Sequence, residues 1–479
     1  MVHYAALLSA AEMAGLSGDL EFRQICLDKA ASLKDAINQH LWMDDCGYYA
    51  QFIAGRKDDI LYTKSETLGQ ALAILYGVAE GERAERLSES MPVVDYGAPV
   101  FWPWIPDIPP YHNRAVWPFV QSFWMHASAM TGNEQGVLHS IGSLYRAAAM
   151  FATNKENFVA DSGDWKGTQI NSSNMLWSLS GALSITYRVL FGISYEVDAL
   201  HFAPVIPKKL AADRKLEGFR YRGMTLDIQI EGYGDVIRSF ELDGVQQPEA
   251  VVPADLTGNH QVRIIMADRF KKKLDINMQP GVSTPVTPVV SLEADKLAWQ
   301  PVAGAATYRL YVAGNEVVEI AEPQMYVSPE WSGDIQIVAV SADGVPSFPS
   351  EPVFIGEKVE MTFAPVMIAL NSANKFTIDV DVPADGLWFI SWNYANGNGD
   401  ITTDRKCAIR TLYIDGERVD INVFPQRGVD AWDVWGWTSP TAVELKAGKH
   451  TLALCFNPEN DNMHIDINDF ALRGLTLVR

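Results

Sequence analysis

Apolar residues recur at three- and four-residue spacing through the first 192 residues, which predicts a series of α-helices. The pattern is clear in FRQICLDKAASLKDAINQHLW and VWPFVQSFWMHASAMTG. SETLGQALAILYGVA adds another helix with Ser65 as its predicted N-cap, and Gly132 and Gly192 stand where helix C-caps are expected. Helices joined by alternating short and long loops indicate stacked helical hairpins.

From residue 193 onward, apolar and polar residues alternate at period two, and Gly and Pro interrupt the runs. This pattern predicts β-strands that pack into sandwiches. The predicted segments are a β-sandwich over 193–278, a fibronectin type III-like domain over 279–356 that follows a Pro- and Thr-rich linker, and a jelly-roll-like domain over 357–479. The expected fold is therefore multidomain α + β, with a helical region over 1–192 and three all-β sandwich domains.

Length and charge limit the function classes. The chain has 479 residues, a net charge of −21 and 48% hydrophobic residues, and its length favours roughly two to four domains. The acidic excess argues against nucleic acid and membrane surfaces as partners. No apolar run reaches membrane-spanning length, and MVHYAALLSAAEMAG lacks the basic start of a signal peptide. Cys407 and Cys455 are candidates either for a disulfide or for two buried thiols.

The densest run of candidate binding residues is YHNRAVWPF over 111–119, called the aromatic-polar loop below. Its candidates are Tyr111, His112, Asn113 and Trp117, with Trp102 in the preceding run FWPWIPDIPP. Sugars present apolar C–H faces to aromatic rings and hydroxyl rims to hydrogen-bond donors, so this loop predicts a site for a polyhydroxylated ring. The alternative is that the rings only fill a helical core.

Several segments of the helical region resemble the catalytic domain of six-hairpin, (α/α)6-barrel glycoside hydrolases of the glycogen-debranching and processing α-glucosidase groups. They are LWMDDCGYYAQF (41–52), YTKSETLGQALAILYGVA (62–79), YHNRAVWPFV (111–120), KENFVADSGDWKG (155–167) and SNMLWSLSGAL (173–183). DALHFAPVIPKKL (198–210) resembles the start of the sandwich that follows the barrel in these enzymes. The resemblance implies a partial (α/α)6 toroid and inverting hydrolysis of α-linked gluco-oligosaccharides.

In this family a Glu in an E-N-[FY] stretch before a Gly-rich turn resembles the catalytic base, which assigns Glu156 to that role. Inverting hydrolysis needs such a carboxylate to activate water. The alternative is a Glu156 that only caps a helix end or a turn. Asp161 and Asp164 of the same loop are substitutes, Trp165 is a further substrate-binding candidate, and Glu66 is expected to be a helix N-terminal carboxylate.

The resemblance also implies a general acid from an earlier hairpin, and no residue before Glu156 fits that role; Asp44, Asp45 and Asp107 are the fallback candidates. The chain is therefore expected to begin inside the catalytic domain. Apolar helix faces would then be exposed at ~25 cal/mol per Å², which predicts a dimer or a missing N-terminal half. Two functions stay open: a glycosidase that is inactive by itself because its acid is missing, and a non-catalytic glycan-binding protein.

The last domain carries WNYANGNGD (392–400) and GVDAWDVWGWTS (428–439), which resemble a carbohydrate-binding module. Trp432, Trp435 and Trp437 are candidate stacking faces or, alternatively, core residues. The sequence predicts no cofactor, with one open case: Asp461, Asp466 and Asp469 are either ligands of a structural Ca²⁺ or an ordinary acidic strand edge. Linked glycan modules predict a periplasmic or secreted location for the full-length protein.

Overall fold

In the computed structural model, the chain forms two compact units. The structure describes residues 1–369, 375–400, 406–461 and 467–479. The first unit comprises Met1–Ile53 and Leu61–Thr284, and the second comprises Ala54–Ile60 and Pro285–Arg479. The four narrower domains expected from the sequence stay predictions.

Seven α-helices lie in the described part of the first unit. They are α1 (Val2–Ser17), α2 (Leu20–His40), α3 (Thr67–Leu75), α4 (Gly81–Ser90), α5 (Pro118–Met130), α6 (Glu134–Phe151) and α7 (Leu176–Ser184), which a π-helix (Ile185–Leu190) continues. α1 packs on α2, and α5 packs on α3, α6 and α7. Packed helices are thereby established, while the partial toroid stays a prediction. None of the helices over the described ranges combines the length and the apolar character needed to cross a bilayer.

Side-chain caps fix where three of these helices begin. Asp19 accepts a hydrogen bond from the Phe22 N–H at the start of α2. Asn133 accepts a hydrogen bond from the Gly136 N–H at the start of α6. The sequence prediction of Ser65 as the cap of α3 was wrong, because Glu66 is the N-cap and accepts from the Leu68 and Gly69 N–H groups. A carboxylate at this position also interacts favourably with the positive end of the helix.

The loops between helices contain short strands that helical periodicity did not predict. They are β1 (Trp42–Met43), β2 (Tyr48–Tyr49), β3 (Phe52–Ala54), β4 (Ile60–Tyr62), β5 (Ser65–Glu66), β6 (Pro92–Val93), β7 (Phe101–Trp102), β8 (Ala115–Val116) and β9 (Phe158–Val159). β5 pairs with β7, and β8 pairs with β9. Runs of two residues are too short to produce an alternation signal, which is why the sequence did not reveal them.

A sandwich follows the helices in the first unit. Its strands are β10 (Ile193–Tyr195), β11 (Ala199–Phe202), β12 (Arg214–Tyr221), β13 (Met224–Glu231), β14 (Ile237–Leu242), β15 (Val245–Gln246), β16 (Val251–Pro253) and β17 (Gly258–Met266), with β18 (Asn277–Met278) paired to β6 and a 3₁₀ turn at Lys208–Leu210. The sheet orders are β10-β11-β16 and β12-β13-β17-β14-β15. Alternate residues such as Leu226, Ile228 and Ile230 fill the core between them.

The second unit begins with a small sandwich. Its strands are β19 (Val290–Glu293), β20 (Lys296–Trp299), β21 (Ala305–Val312), β22 (Asn315–Ile320), β23 (Gln324–Tyr326), β24 (Gly333–Ser341) and β25 (Val353–Ile355). A three-stranded sheet, β19-β20-β23, and a four-stranded sheet, β22-β21-β24-β25, enclose a core around Trp299 and Leu310. This is the segment for which the sequence predicts a fibronectin type III-like domain.

A larger sandwich ends the chain. Its strands are β26 (Lys358–Ile368), β27 (Phe376–Val382), β28 (Gly386–Ala395), β29 (Asn398–Gly399), β30 (Ala408–Ile414), β31 (Glu417–Phe424), β32 (Gly428–Val429), β33 (Gly436–Trp437), β34 (Thr441–Leu445), β35 (Gly448–Cys455) and β36 (Phe470–Val478), with a 3₁₀ turn at Pro458–Asn460. The sheets β26-β36-β28-β33, with β34 also on β28, and β27-β35-β30-β31 enclose the fully buried Trp388 and Trp392. No disulfide joins Cys407 to Cys455.

Candidate functional site

Three helices of the first unit bring their N-termini together at one end. Leu68 at the start of α3 packs against Trp117 and Val120 at the start of α5. Phe119 of α5 stacks on Trp177 at the start of α7, with ring centroids 4.9 Å apart. Because helix N-termini carry partial positive charge and unpaired N–H groups, this end of the unit favours anionic and hydroxyl groups.

The pairing of two short strands joins the aromatic-polar loop to the loop that contains Glu156. β8 runs antiparallel to β9, with Ala115 opposite Val159 and Val116 opposite Phe158. All four residues are buried. The pairing therefore fixes, side by side, two loops that are far apart in the sequence.

Glu156 lies between these loops and is only 6% exposed. Tyr111 Oη donates a hydrogen bond to Glu156 Oε1 at 3.2 Å, and the Ser172 N–H donates to Oε2 at 3.2 Å. The Glu156 N–H donates in turn to the Ser172 carbonyl at 2.9 Å. Burial, and then the charge of Glu156, raise the pKa of Tyr111, so the phenol stays protonated and remains a donor.

Three aromatic rings of the loop pack against one another. The centroids of Tyr111 and Trp117 are 4.9 Å apart, and those of His112 and Trp117 are 5.2 Å apart in a stacked arrangement. Trp117 Nε1 donates to the Tyr111 carbonyl at 2.7 Å. Trp117 is buried while His112 is exposed. His112 and Tyr111 are therefore the accessible rings, and Trp117 supports them from below.

Asn113 holds the loop together. Its Nδ2 donates to the carbonyls of Ile105 and Ile108, and its Oδ1 accepts from the Ile105 N–H, at distances of 2.9 to 3.0 Å. The residue is fully buried. Since both amide hydrogens are used inside the loop, this geometry does not support the predicted contact between Asn113 and a sugar.

The two remaining substrate-binding candidates lie on the loops around this site. Trp165 is exposed on the Glu156 loop, and the Lys155 ammonium lies 4.1 Å from its ring centroid. Trp102 is half-buried on β7 and donates through Nε1 to the Pro280 carbonyl at 3.1 Å. Trp165 offers an accessible face to a ligand, whereas the indole N–H of Trp102 is already used.

The other acidic candidates have structural partners. Asp161 forms an ion pair with Arg114 at 2.6 Å, and Asp164 Oδ1 accepts from the Lys166 N–H in its own turn. Asp44 accepts from Trp42 Nε1 at 2.7 Å. No hydrogen bond or ion pair connects Glu156 to a second carboxyl group or to a Lys or Arg over the described ranges. Glu156 thus has only neutral donors as partners, as do Asp164 and the helix cap Glu66, whereas Asp161 is paired with a cation.

In the second unit, the candidate stacking residues are half-buried and do not fill the core. Trp435 lies under the Arg473 guanidinium at 4.6 Å, and Trp437 lies under Arg56 at 5.6 Å. Trp432 packs beside Gly397, where an added Cβ would come within 2.7 Å of its Nε1. Only glycine fits at position 397 without displacing that indole.

The Ca²⁺ prediction is only partly covered by the structure. Asp466 lies outside the described residues. Among the residues whose positions are given, no group of three His, Cys, Asp or Glu side chains is arranged to hold a metal ion. The structural Ca²⁺ therefore stays a prediction.

The sequence matches no family model and no curated protein. Among solved structures, a Paenibacillus sp. cycloisomaltooligosaccharide glucanotransferase complexed with cycloisomaltoheptaose aligns with 26% of this chain and 18% of its own, at 18% identity and a TM-score of 0.19. Arthrobacter globiformis T6 isomalto-dextranase complexed with panose aligns with 36% of this chain and 30% of its own, at 17% identity and a TM-score of 0.20. A CBM35 module from Cellvibrio japonicus aligns with 26% of this chain and 94% of its own, at 14% identity and a TM-score of 0.19.

These alignments cover a minor part of this chain, and this chain spans less than a third of the two enzymes. The function is therefore argued below from the residues of the site.

Proposed function

We propose that this chain is a carbohydrate-active protein of the glycoside hydrolase type, with Glu156 as general base. The observation that carries the proposal is the hydrogen bond between Tyr111 Oη and Glu156 Oε1, which joins a buried carboxylate to the aromatic-polar loop. Only neutral donors contact this carboxylate, so no Lys or Arg ion pair occupies its oxygens.

The proposed reaction is inverting hydrolysis. Glu156 removes a proton from a water molecule as the water oxygen bonds to the anomeric carbon, and a carboxylic acid about 6.5–9.5 Å away protonates the leaving oxygen. The carboxyl group of that acid stands too far from the base for the two to be in contact, and no residue before Glu156 carries a sequence motif for the role.

The substrate class follows from the accessible groups and from the motif resemblance. Tyr111, His112 and Trp165 offer aromatic faces for the C–H surface of a sugar ring. The E-N-F context of Glu156 resembles that of enzymes that act on α-linked gluco-oligosaccharides, so we propose the same substrates here. In this proposal the seven helices form part of an (α/α)6 toroid, and the protein acts outside the cytoplasm.

The second candidate function is non-catalytic glycan binding. It is favoured by the half-buried Trp432, Trp435 and Trp437, which the core of the second unit does not include. Aromatic side chains that are not needed in the core are available to stack on sugars. This function requires no acid–base pair.

Release of reducing sugar from a panel of α-gluco-oligosaccharides tests the proposal. Glu156→Gln keeps the size of the side chain and removes the base, so any hydrolytic rate should fall by ~10²–10⁴. Glu21→Gln, an equivalent change on the exposed face of α2, should leave the rate unchanged. A Glu156→Gln variant that retains more than about a tenth of the wild-type rate would reject Glu156 as the base.

A further inference from the structure

A cavity of about 120 Å³ lies in the second unit, on the face of the β26-β36-β28-β33 sheet opposite the core. Side chains alternate along each strand, so Trp388 and Ile390 point into the core while Phe389 and Ser391 point to this other face. Neighbouring strands complete the floor, because Ser391 lies opposite Thr476 of β36, which lies opposite Glu360 of β26.

The walls of the cavity are aromatic. Trp437 from β33, Phe389 from β28 and Phe354 from β25 all line it. The Arg56 guanidinium lies 5.6 Å from the Trp437 ring centroid and closes one side. The cavity therefore combines flat apolar surfaces with a polar floor.

The loop that supplies Arg56 is held in place by one carboxylate. Asp334 Oδ2 accepts hydrogen bonds from the N–H groups of Arg56, Lys57 and Asp58, at 3.0, 2.7 and 3.1 Å. The Asp334 N–H donates back to Asp58 Oδ2 at 2.8 Å. This side of the cavity is thus built by an ordered turn.

Two hydroxyl groups on the floor have no partner. Ser391 is only 3% exposed, and neither its hydroxyl nor that of Thr476 forms a hydrogen bond with another residue among those described. Neither oxygen belongs to the buried polar atoms that lack a partner, so both hydroxyls are open to water or to a ligand. Both groups line the cavity, so a ligand there would complete their hydrogen bonds.

Two charged side chains of the cavity wall, Lys358 and Arg56, are already held in ion pairs. Lys358 pairs with Glu360 at 2.9 Å, and Arg56 pairs with Glu351 at 3.0 Å. A charged ligand would have to compete with one of these pairs. A neutral ligand with hydroxyl groups and an apolar ring face needs no such exchange.

We propose that this cavity binds one neutral sugar unit of a glycan, as a second subsite beside the region of Trp432 and Trp435. The inference rests on the proposed glycan binding. Trp437 belongs to this cavity, whereas Trp432 and Trp435 do not line it. Phe389 and Trp437 flank the ring, and Ser391 and Thr476 hydrogen-bond its hydroxyl groups. The aromatic walls and the two hydroxyl groups are matched to one sugar ring, and the rest of a chain extends into solvent.

Isothermal titration calorimetry on the full chain tests this inference with D-glucose and maltotriose as neutral probes, and with glucuronate and glucosamine as charged pyranose probes. D-glucose should bind more tightly than either charged probe. The double variant Ser391→Ala/Thr476→Val should weaken maltotriose binding by about tenfold, because it removes two hydrogen bonds while keeping the apolar walls. Thr377→Val, an exposed change on the opposite sheet, should leave binding unchanged.

Thr476→Ser keeps the hydroxyl and serves as the control for the loss of the hydrogen bond. It should bind maltotriose like the wild type, and this result can be measured even if the double variant folds poorly. Binding that survives the double variant but is lost in Trp432→Ala/Trp435→Ala would overturn the cavity site and leave the proposed glycan binding intact. Failure of the wild type to bind either neutral probe would reject both. Preference for glucuronate or glucosamine would reject the neutral-sugar assignment.

Discussion

Tyr111 and Glu156 meet through a hydrogen bond of 3.2 Å although 45 residues separate them in the sequence. The contact exists because β8 and β9 pair directly behind it and because Asn113 fixes the shape of the loop that contains Tyr111. Each residue alone has an ordinary structural explanation. Together they place the Tyr111 hydroxyl, a hydrogen-bond donor, on the buried Glu156 carboxylate beside accessible aromatic rings.

The Tyr111–Glu156 contact predicts a change in the titration of the tyrosine. The negative charge of Glu156 is one of the causes that raise the pKa of Tyr111, after burial. Glu156→Gln removes that charge, so the pKa of Tyr111 should move down toward about 10. NMR titration of tyrosine ring carbons, with Tyr111→Phe to assign the signal, measures the shift. An unchanged or higher pKa in Glu156→Gln would show that the two groups do not interact in solution.

We expect the chain as it stands to bind glycans but to hydrolyse them negligibly. Inverting hydrolysis needs an acid as well as a base, whereas stacking needs only an aromatic face. Trp432→Ala or Trp435→Ala should weaken maltotriose binding by about two- to tenfold. Calorimetry and a reducing-sugar assay on the same preparation measure the two properties. Robust turnover would reveal an overlooked acid, with Asp44, Asp45 and Asp107 as the first variants to make.

Asn113→Ala should lower the stability of the first unit. The substitution leaves the Ile105 N–H and two carbonyls without partners, which costs about 1–3 kcal/mol. Thermal unfolding should show the loss in one transition only, since two compact units need not unfold together. Asn315→Ala, at an exposed turn in the second unit, is the control. Unchanged stability together with lost sugar binding would instead support the sugar contact predicted from the sequence.

His450 should stabilise the second unit in a pH-dependent manner. Its Nε2 contacts the Lys446 carbonyl at 2.8 Å and its Nδ1 contacts Asp415 at 2.6 Å, and these bonds raise the pKa of His450. The stabilisation is fully present below the unfolded pKa of about 6.5 and is lost as the pH rises through the higher folded pKa. The backbone N–H of Thr451 and then His450 lower the pKa of Asp415, so its contribution is lost as the pH falls below about 4.

The difference in melting temperature between wild type and His450→Gln should therefore be largest near pH 5 to 6, roughly between these two limits, and should shrink toward pH 9. His260 forms a similar contact with Asp243 at 2.7 Å in the first unit. His260→Gln should show the same trend in the other unfolding transition. A constant difference from pH 5 to 9 in both variants would contradict the assigned titrations.

The outward face of α7 predicts self-association. Leu176 is 78% exposed and Leu183 is 53% exposed, while Gly181 faces α5 and the buried Ser178 donates a hydrogen bond to the Lys155 carbonyl. Contiguous exposed apolar surface marks an interaction site, and a second copy of the chain is the partner we expect. Sedimentation velocity should show a concentration-dependent dimer that Leu176→Gln/Leu183→Gln dissociates. Leu387→Gln, a change at an isolated exposed leucine, should leave it intact; a wild-type monomer at all concentrations would contradict the expectation.

Periodicity in the sequence determined the main layout of the protein. Apolar spacing of three and four residues predicted helices before residue 192, and alternation predicted strands after residue 193, because burial of one face imposes these periods. The local run of polar and aromatic residues indicated the aromatic-polar loop without coordinates, whereas Glu156 was assigned through the family resemblance of its E-N-F context. It placed the α3 cap one residue too early, because Ser65 and Glu66 are both plausible caps and only the backbone geometry distinguishes them.

Only the tertiary structure decided which side chains meet. The pairing of β8 with β9 has no sequence signal, yet it brings Tyr111 to Glu156. Asn113 was a candidate sugar ligand in the sequence, and in the structure the carbonyls of Ile105 and Ile108 accept both of its amide hydrogens. The roles of Trp388 and Trp437 were likewise decided by which face of the sheet each indole occupies. Local periodicity follows from neighbours along the chain, whereas a binding site depends on contacts between distant segments that periodicity does not encode.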